Sequence, residues 1–124
     1  MIKILFLCHG NICRSPMAEF VMKDLVKKAG AAEKIEIASA AVSREEIGNP
    51  VYPPARRELE YYDAIYYMDR SNERYLRRLF GADAAKCRPL LDREVADPWF
   101  TGDFTQTWED ITEGCRAIME EYGC

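Results

Sequence analysis

The chain has 124 residues, 48% of them hydrophobic and 31% charged, which is the size and composition of one folded domain and excludes a disordered protein. Its 17 Lys and Arg residues against 21 Asp and Glu leave a net charge of −4, which argues against a broad nucleic-acid-binding surface. The apolar runs are too short to span a membrane, and five cysteines without a secretory signal predict reduced thiols in a cytoplasmic protein.

The first third of the chain shows a strand, a helix and a second strand. Ile2–Leu7 is an almost continuous apolar run, which is typical of a central strand covered on both faces. Ser15 and Pro16 predict the start of a helix, with Ser15 as the N-cap, and Gly30 predicts its end. Ile35–Ala41 is predicted to form the second strand.

The middle of the chain continues the alternation. A loop rich in glycine and proline leads into a short predicted helix, Pro54–Glu60, and then into a third strand, Ala64–Met68. Ser71 is predicted to cap the next helix, which ends at Gly81.

A weaker strand and a strongly patterned helix complete the chain. The strand is predicted at Lys86–Leu91, and Pro89 within it indicates the edge of a sheet because proline lacks an N–H group. Apolar side chains then recur at helical spacing and predict one core-facing stripe, formed by Phe104, Trp108, Ile111, Cys115, Ile118 and Tyr122. The alternation of strands and helices predicts an α/β fold with a parallel sheet.

The segment between the first strand and the first helix has the features of an anion-binding loop. A tight turn at Gly10 and Asn11 can point successive backbone N–H groups at an anion, next to a helix N-terminus. Arg14 adds a planar fork of donors that suits two phosphate oxygens. The predicted phosphate-binding residues beside Arg14 are His9, Gly10, Asn11, Ile12, Cys13 and Ser15.

Cys8 lies at the mouth of this loop, where positive charge and a helix N-terminus favour the thiolate. A thiolate that faces a bound phosphoryl group is positioned for in-line attack. Ser15 can donate a hydrogen bond to that thiolate in addition to capping the helix. A buried strand-end cysteine is the alternative, but a strand before Cys8 and a helix after it favour a nucleophile.

A phosphate ester of a phenol also needs a proton donor, because the pKa of a phenol is about 10. Asp97 is the favoured acid, since Pro98 stiffens its loop and Trp99 and Phe100 can wall a ring-shaped substrate. The spacing leaves three other carboxylates open as candidates, namely Asp63, Asp69 and Asp92.

The chain resembles the low-molecular-weight protein tyrosine phosphatase family over nearly its whole length. The segments that carry the resemblance are Ile4–Glu19, Ala38–Ala41, Ile47–Pro50, Met68–Asn72 and Asp97–Trp99. The resemblance implies a single domain over residues 1–124, with a four-stranded parallel sheet in the order 2-1-3-4 and helices on both faces. It implies neither a metal nor an organic cofactor.

The same resemblance implies roles for individual residues. Cys8 would be the nucleophile, Arg14 the phosphate clamp, and Asp97 first the acid and then the base that activates water. Asn11 and Ser39 match positions that brace the phosphate loop in that family. The implied partners are phosphotyrosine proteins or peptides, and the oligomeric state is left open.

The chain departs from the family pattern in three places. The family carries a longer segment where Glu58–Tyr62 runs directly into the third strand here. Glu45 stands where the family often has an aromatic side chain that walls the pocket. Trp99 and Phe100 stand where the family often has two tyrosines that can be phosphorylated. The predicted substrate wall is therefore Glu45, Trp99 and Phe100.

Three alternatives to a tyrosine phosphatase stay open. A protein-arginine phosphatase on the same fold tends to carry threonine where Ile12 offers only apolar surface. A thiol redox enzyme similar to arsenate reductase needs a resolving cysteine on a mobile segment, whereas Cys87 lies in a predicted strand. A phosphate-binding module without activity would need neither the thiol of Cys8 nor the carboxylate of Asp97.

Overall fold

The structure is a computed structural model that describes residues 1–8, 14–41, 57 and 59–123, without the side chains of residues 41, 99 and 100. Its strands are β1 (Ile2–Cys8), β2 (Ile35–Ala41), β3 (Ala64–Tyr67) and β4 (Cys87–Pro89). Its helices are α1 (Arg14–Lys28), α2 (Arg70–Phe80), α3 (Pro98–Thr101) and α4 (Phe104–Glu121), and a 3₁₀ helix covers Gly81–Lys86. Positions 57 and 59–61 are also helical, so the helix runs one residue past the predicted end at Glu60; the other residues of the predicted short helix lie outside the described part.

The four strands form one parallel sheet in the order β2-β1-β3-β4. This confirms the predicted topology, with β1 in the centre and β4 at an edge. Cys8 pairs with Ala41 at the carboxyl end of β1, whereas Cys87 pairs with Ile65 near the start of β3. The two cysteines therefore lie at different heights of the sheet.

Alternate side chains of β1 face two separate cores, as the pleat of a strand requires. Ile4, Phe6 and Cys8 belong to the core beneath α1 and α4. Leu5 and Leu7 belong to the core beneath α2. Helices thus cover both faces of the sheet, which explains why β1 is apolar at almost every position.

The helix that follows β3 begins earlier than predicted. Asp69, and not Ser71, is its N-cap, and the Asp69 carboxylate accepts a hydrogen bond of 2.9 Å from the backbone N–H of Asn72. Asp69 has extended backbone angles and its side chain reaches that donor, so it caps as well as a serine would. The predicted end of the helix at Gly81 is confirmed, since Gly81 has a φ of +58°.

Two other boundaries also differ from prediction. α1 already includes Arg14, so Ser15 lies inside the helix and is not its N-cap. β4 spans only Cys87–Pro89, because Lys86 ends the 3₁₀ helix on one side and Pro89 is the last residue paired with β3 on the other.

The predicted apolar stripe of α4 is correct at its centre and wrong at its start. Phe104 and Trp108 are 58% and 45% exposed, and the Trp108 ring lies 6.2 Å from that of Phe20 on α1. Thr107 and Asp110 face inward instead, because both side chains form hydrogen bonds with the loop before α3. Neither α4 nor any other helix in the described part is long and apolar enough to cross a membrane.

Candidate active site

The carboxyl ends of three parallel strands converge on Arg14, the first residue of α1. Cys8 ends β1, Asp69 lies two residues beyond β3, and Val95 and Asp97 belong to the loop after β4. Asp69, Val95 and Asp97 all contact the guanidinium group of Arg14. Ligands of parallel α/β sheets bind at this edge.

Cys8 and Ser15 are in direct contact at this edge. The Sγ atom of Cys8 lies 3.0 Å from the Oγ atom of Ser15, and both residues are buried. A hydroxyl can donate to a sulfur atom, and such a bond stabilises the thiolate over the thiol. The arrangement therefore places a hydroxyl group directly against the sulfur atom of Cys8.

Arg14 is buried and held from three sides. Its Nη2 atom donates to Oδ2 of Asp69 at 2.9 Å and lies 3.5 Å from Oδ2 of Asp97. Its Nη1 atom donates to the carbonyl oxygen of Val95 at 3.2 Å. A buried guanidinium needs such partners to offset its loss of hydration. The contacts also fix the orientation of the fork, which is what a phosphate clamp requires.

Of the four candidate acids, Asp97 and Asp69 lie next to Arg14. Asp69 uses Oδ1 to cap α2 and Oδ2 to bind Arg14, so both of its oxygens serve the fold. Asp97 directly precedes α3 and its backbone carbonyl accepts from the N–H of Thr101. The contact of Asp69 with Arg14 was not predicted from the sequence. An aspartate just after a strand and before a helix is, however, a typical N-cap.

The other two candidates lie away from Arg14. Asp63 accepts a hydrogen bond from the backbone N–H of Lys3 at the start of β1, which is the opposite edge of the sheet. The Asp92 side chain is 94% exposed, and its ion pair in the described structure is with Arg93 at 3.8 Å. These positions favour Asp97 and Asp69 over Asp63 and Asp92.

Ser39 of β2 contacts α1. Its hydroxyl donates to Oε1 of Glu19 at 2.6 Å. Burial alone would raise the pKa of Glu19, but hydrogen bonds from Lys23 and Ser39 together with the charge of Lys23 lower it below the usual value. Ser39 thus helps to hold a carboxylate of α1, and its predicted contact with the phosphate loop stays a prediction.

Several predicted site residues lie outside the described part of the structure. These are the five residues between Cys8 and Arg14, together with one residue of the predicted wall: His9, Gly10, Asn11, Ile12, Cys13 and Glu45. Trp99 and Phe100 lie in α3, but their side chains are not described. The backbone anion cradle and the substrate wall therefore remain predictions.

A cavity of about 330 Å³ opens beside Arg14. Besides Arg14, the cavity is lined by residues that contact Arg14 and by others from the segment after β4: Asp69, Glu94, Val95, Ala96, Asp97 and Thr101. A larger cavity of about 580 Å³ between α2 and β4 includes none of the predicted site residues. Among the described residues, no three His, Cys, Asp or Glu side chains cluster in a way that could hold a metal ion.

The two cysteines elsewhere in the described chain are buried free thiols. Burial raises the pKa of Cys115 to about 12. Burial also raises the pKa of Cys87 to about 11, although Lys86 acts in the opposite direction. A thiol with so high a pKa is a poor attacking group near neutral pH. Cys87 is therefore unsuited to act as the resolving cysteine of a redox enzyme.

Comparisons with known proteins identify a family. The family model described as low molecular weight phosphotyrosine protein phosphatase matches residues 3–59. The chain is 35% identical to the low molecular weight protein-tyrosine-phosphatase YfkJ of Bacillus subtilis, with 96% of this chain and 94% of that protein aligned. It is 30% identical to the human low molecular weight phosphotyrosine protein phosphatase, with 95% and 94% aligned.

Solved structures agree with these relatives. The crystal structure of YfkJ has a TM-score of 0.81 at 34% identity and covers 100% of this chain and 98% of its own. A low molecular weight protein tyrosine phosphatase from Streptococcus pyogenes has a TM-score of 0.77 at 31% identity, with 98% and 93% covered. The chain therefore belongs to the low-molecular-weight protein tyrosine phosphatase family and is a phosphoric monoester hydrolase.

Proposed function

We propose that this enzyme removes phosphate from phosphotyrosine in proteins or peptides through a phosphocysteine formed on Cys8. The observation that carries the proposal is the 3.0 Å contact between the Cys8 sulfur and the Ser15 hydroxyl, one residue from the buried Arg14. The names of the relatives, which are tyrosine phosphatases, support the choice of tyrosine as the substrate side chain.

In the first step, the Cys8 thiolate attacks phosphorus in line with the ester oxygen. The P–S bond forms as the P–O bond to tyrosine breaks, and Asp97 donates its proton to the leaving phenolate oxygen. Arg14 binds two of the phosphoryl oxygens that carry the charge of the transition state. Protonation is needed because the pKa of a phenol is about 10.

In the second step, the Asp97 carboxylate takes a proton from water. The water oxygen attacks phosphorus, the P–S bond breaks, and phosphate leaves. Ser15 stabilises the thiolate that is released on Cys8, so the sulfur is a better leaving group. The thiolate functions only while it is reduced, so we assign the enzyme to a reducing compartment such as the cytoplasm.

Hydrolysis of phenyl phosphate by Cys8→Ser tests the nucleophile. We expect turnover to be lost while vanadate binding, measured by calorimetry, is retained, because Arg14 and the loop are unchanged. Cys87→Ala is the matched control, since it removes a buried thiol outside the site and should keep full activity. Turnover by Cys8→Ser at the wild-type rate would refute a phosphocysteine mechanism.

A second measurement tests the choice of tyrosine over arginine. We expect kcat/KM to be higher for a phosphotyrosine peptide than for the matched phosphoarginine peptide, because Ile12 offers apolar surface and Asp97 can protonate a phenolate. Ile12→Thr should shift the ratio toward phosphoarginine. A wild-type preference for phosphoarginine would contradict the tyrosine assignment and leave the role of Cys8 intact.

A further inference from the structure

The residue that directly precedes Asp97 is held by two side chains of α4. The Oγ1 atom of Thr107 donates to the carbonyl oxygen of Ala96 at 2.8 Å. The backbone N–H of Ala96 donates to Oδ2 of Asp110 at 3.0 Å. Both backbone polar groups of Ala96 therefore have partners on one helix, which fixes the peptide planes on either side of it.

Both of these side chains are unusually placed for polar groups. Thr107 is 0% exposed and Asp110 is 4% exposed, at positions of α4 where an apolar residue would otherwise fill the core. A buried carboxylate is costly unless it is fully paired. Core packing alone does not explain a buried hydroxyl and a buried carboxylate on successive turns of the helix.

Asp110 is held firmly enough to act as a fixed acceptor. Its Oδ1 atom accepts from Nε2 of Gln106 at 2.8 Å and from Nη2 of Arg93 at 3.1 Å. Burial alone would raise the pKa of Asp110, but the hydrogen bonds from Ala96, Gln106 and Arg93 together lower it below the usual value. Asp110 is thus ionised at neutral pH and accepts only.

The support continues along the loop on both sides of Ala96. The N–H of Val95 donates to the carbonyl oxygen of Met68 at 2.9 Å, and its carbonyl oxygen accepts from Arg14. On the other side, Asp97 leads into α3, where its carbonyl oxygen accepts from the N–H of Thr101. The position of the Asp97 carboxylate beside Arg14 therefore depends on how Ala96 is held.

We propose that Thr107 and Asp110 are positioning residues that set the catalytic geometry of Asp97 through the backbone of Ala96. This inference rests on the proposed role of Asp97 as acid and base. Loss of either side chain should let the loop shift relative to Arg14, and small displacements of a catalytic group cost rate steeply. The cost should appear wherever protonation of the leaving group is needed.

The test compares two substrates that differ in their need for an acid. Phenyl phosphate has a poor leaving group, whereas 2,4-dinitrophenyl phosphate releases a phenolate that needs no proton. We expect Thr107→Val to lower kcat/KM for phenyl phosphate by about 10-fold, which is part of the 10²–10⁴-fold expected for loss of the acid itself. The value for the dinitrophenyl ester should stay within about 2-fold of the wild type.

The same helix offers a matched control. Thr112 carries a buried hydroxyl for which the described structure shows no hydrogen-bond partner, so Thr112→Val makes the same chemical change away from the loop. We expect Thr112→Val to keep the wild-type values for both esters. Thr107→Ser, which restores the hydroxyl, should recover the value for phenyl phosphate, and this result separates the hydrogen bond from packing of the methyl group.

A double variant tests whether Thr107 acts through Asp97. We expect Thr107→Val to cost nothing further in the Asp97→Ala background, since residues that act as a unit are not additive. Asp110→Asn should give the same substrate pattern, because an amide has one acceptor oxygen where the carboxylate has two, so Ala96 on one side and Gln106 and Arg93 on the other can no longer all be satisfied. This second variant also decides the matter if Thr107→Val does not fold.

The outcomes separate the inference from the proposed function. Equal losses for both esters, or additive losses in the double variant, would overturn the positioning role and leave Asp97 as the acid. If Asp97→Ala itself hydrolyses phenyl phosphate at the wild-type rate, then the assignment of the acid fails first and the inference fails with it.

Discussion

The guanidinium of Arg14 and the carboxylate of Asp69 form an ion pair of 2.9 Å in which the side chains are only 6% and 18% exposed. The other oxygen of Asp69 accepts from the N–H of Asn72 at the start of α2. Asn72 in turn accepts from the N–H of Met68 through its side-chain oxygen at 3.0 Å. One short segment after β3 therefore holds both the start of α2 and the guanidinium of Arg14.

Asp69→Asn should separate these two functions. Asparagine caps helices about as well as aspartate, so α2 should stay intact while the charge that holds Arg14 is lost. Because the fork would be less well oriented, we expect kcat/KM for an aryl phosphate to fall by about 10–10²-fold. Steady-state kinetics and a thermal melt of the same sample measure both effects.

Asp69→Ala should show the same kinetic loss and, in addition, a stability loss of about 0.5–2 kcal/mol from the missing cap. Asp92→Asn is the control, since it makes the same chemical change at an exposed carboxylate that lies away from Arg14. If Asp69→Asn keeps the activity of the wild type, the orientation of Arg14 does not depend on this ion pair.

Gly114→Ala should destabilise the protein, although helix propensity alone would make this substitution stabilising. A Cβ atom at this position of α4 would lie 2.5 Å from Cγ and 2.7 Å from Cδ1 of the buried Leu90. Gly→Ala in a helix is worth up to about 1 kcal/mol of stabilisation, but overpacking costs about 1–3 kcal/mol. We expect Gly114→Ala to lower the free energy of unfolding in urea.

Two further variants check the cause. Ala117→Gly, at an exposed position of α4, should report propensity alone and destabilise by about 1 kcal/mol. In a Leu90→Ala background the clash is absent, so Gly114→Ala should become neutral or stabilising. A stabilising effect of Gly114→Ala in the wild type would show that Leu90 moves aside easily.

Much of the fold could be predicted because the local sequence of each strand reflects its place in the sheet. The apolar run of β1 reflects its central place between two cores, and Pro89 indicated the edge strand. The exposed positions of Phe104 and Trp108 could not be foreseen from spacing. Which side of α4 faces the core depends on Thr107, which donates to Ala96 eleven residues earlier, and on Asp110, which accepts from Ala96. The spacing of apolar residues carries no information on such contacts.

Contacts in the candidate site could be predicted where both residues lie in one short segment, and less well where they come from distant segments. Cys8 and Ser15 are seven residues apart, and their contact follows from a strand, a turn and a helix. Asp69 lies 55 residues from Arg14, and its carboxylate was predicted only as a competing acid. Its use as cap and ion-pair partner depends on the parallel order of β1 and β3, which brings the two strand ends side by side.

The remaining described thiols predict a labelling pattern. Cys87 and Cys115 are buried, and burial raises the pKa of Cys87 to about 11 and that of Cys115 to about 12. At pH 8 only about one molecule in a thousand or fewer carries either thiolate. We therefore expect iodoacetamide to leave both cysteines unmodified in the native enzyme and to modify both in urea, as peptide mapping by mass spectrometry would show.

The raised pKa of Cys115 predicts that the protein becomes less stable at alkaline pH. The unfolded Cys115 thiol loses its proton from about pH 9, whereas the folded one keeps it to about pH 12, so above pH 9 the native state binds more protons than the unfolded state. The free energy of unfolding should therefore fall as the pH rises from 9 towards 12. Cys115→Ala removes one such group, and its melting temperature should fall less over this range than that of the wild type. Rapid labelling of native Cys115 at pH 8, or an equally steep fall in the variant, would show that its thiol is not kept protonated by burial.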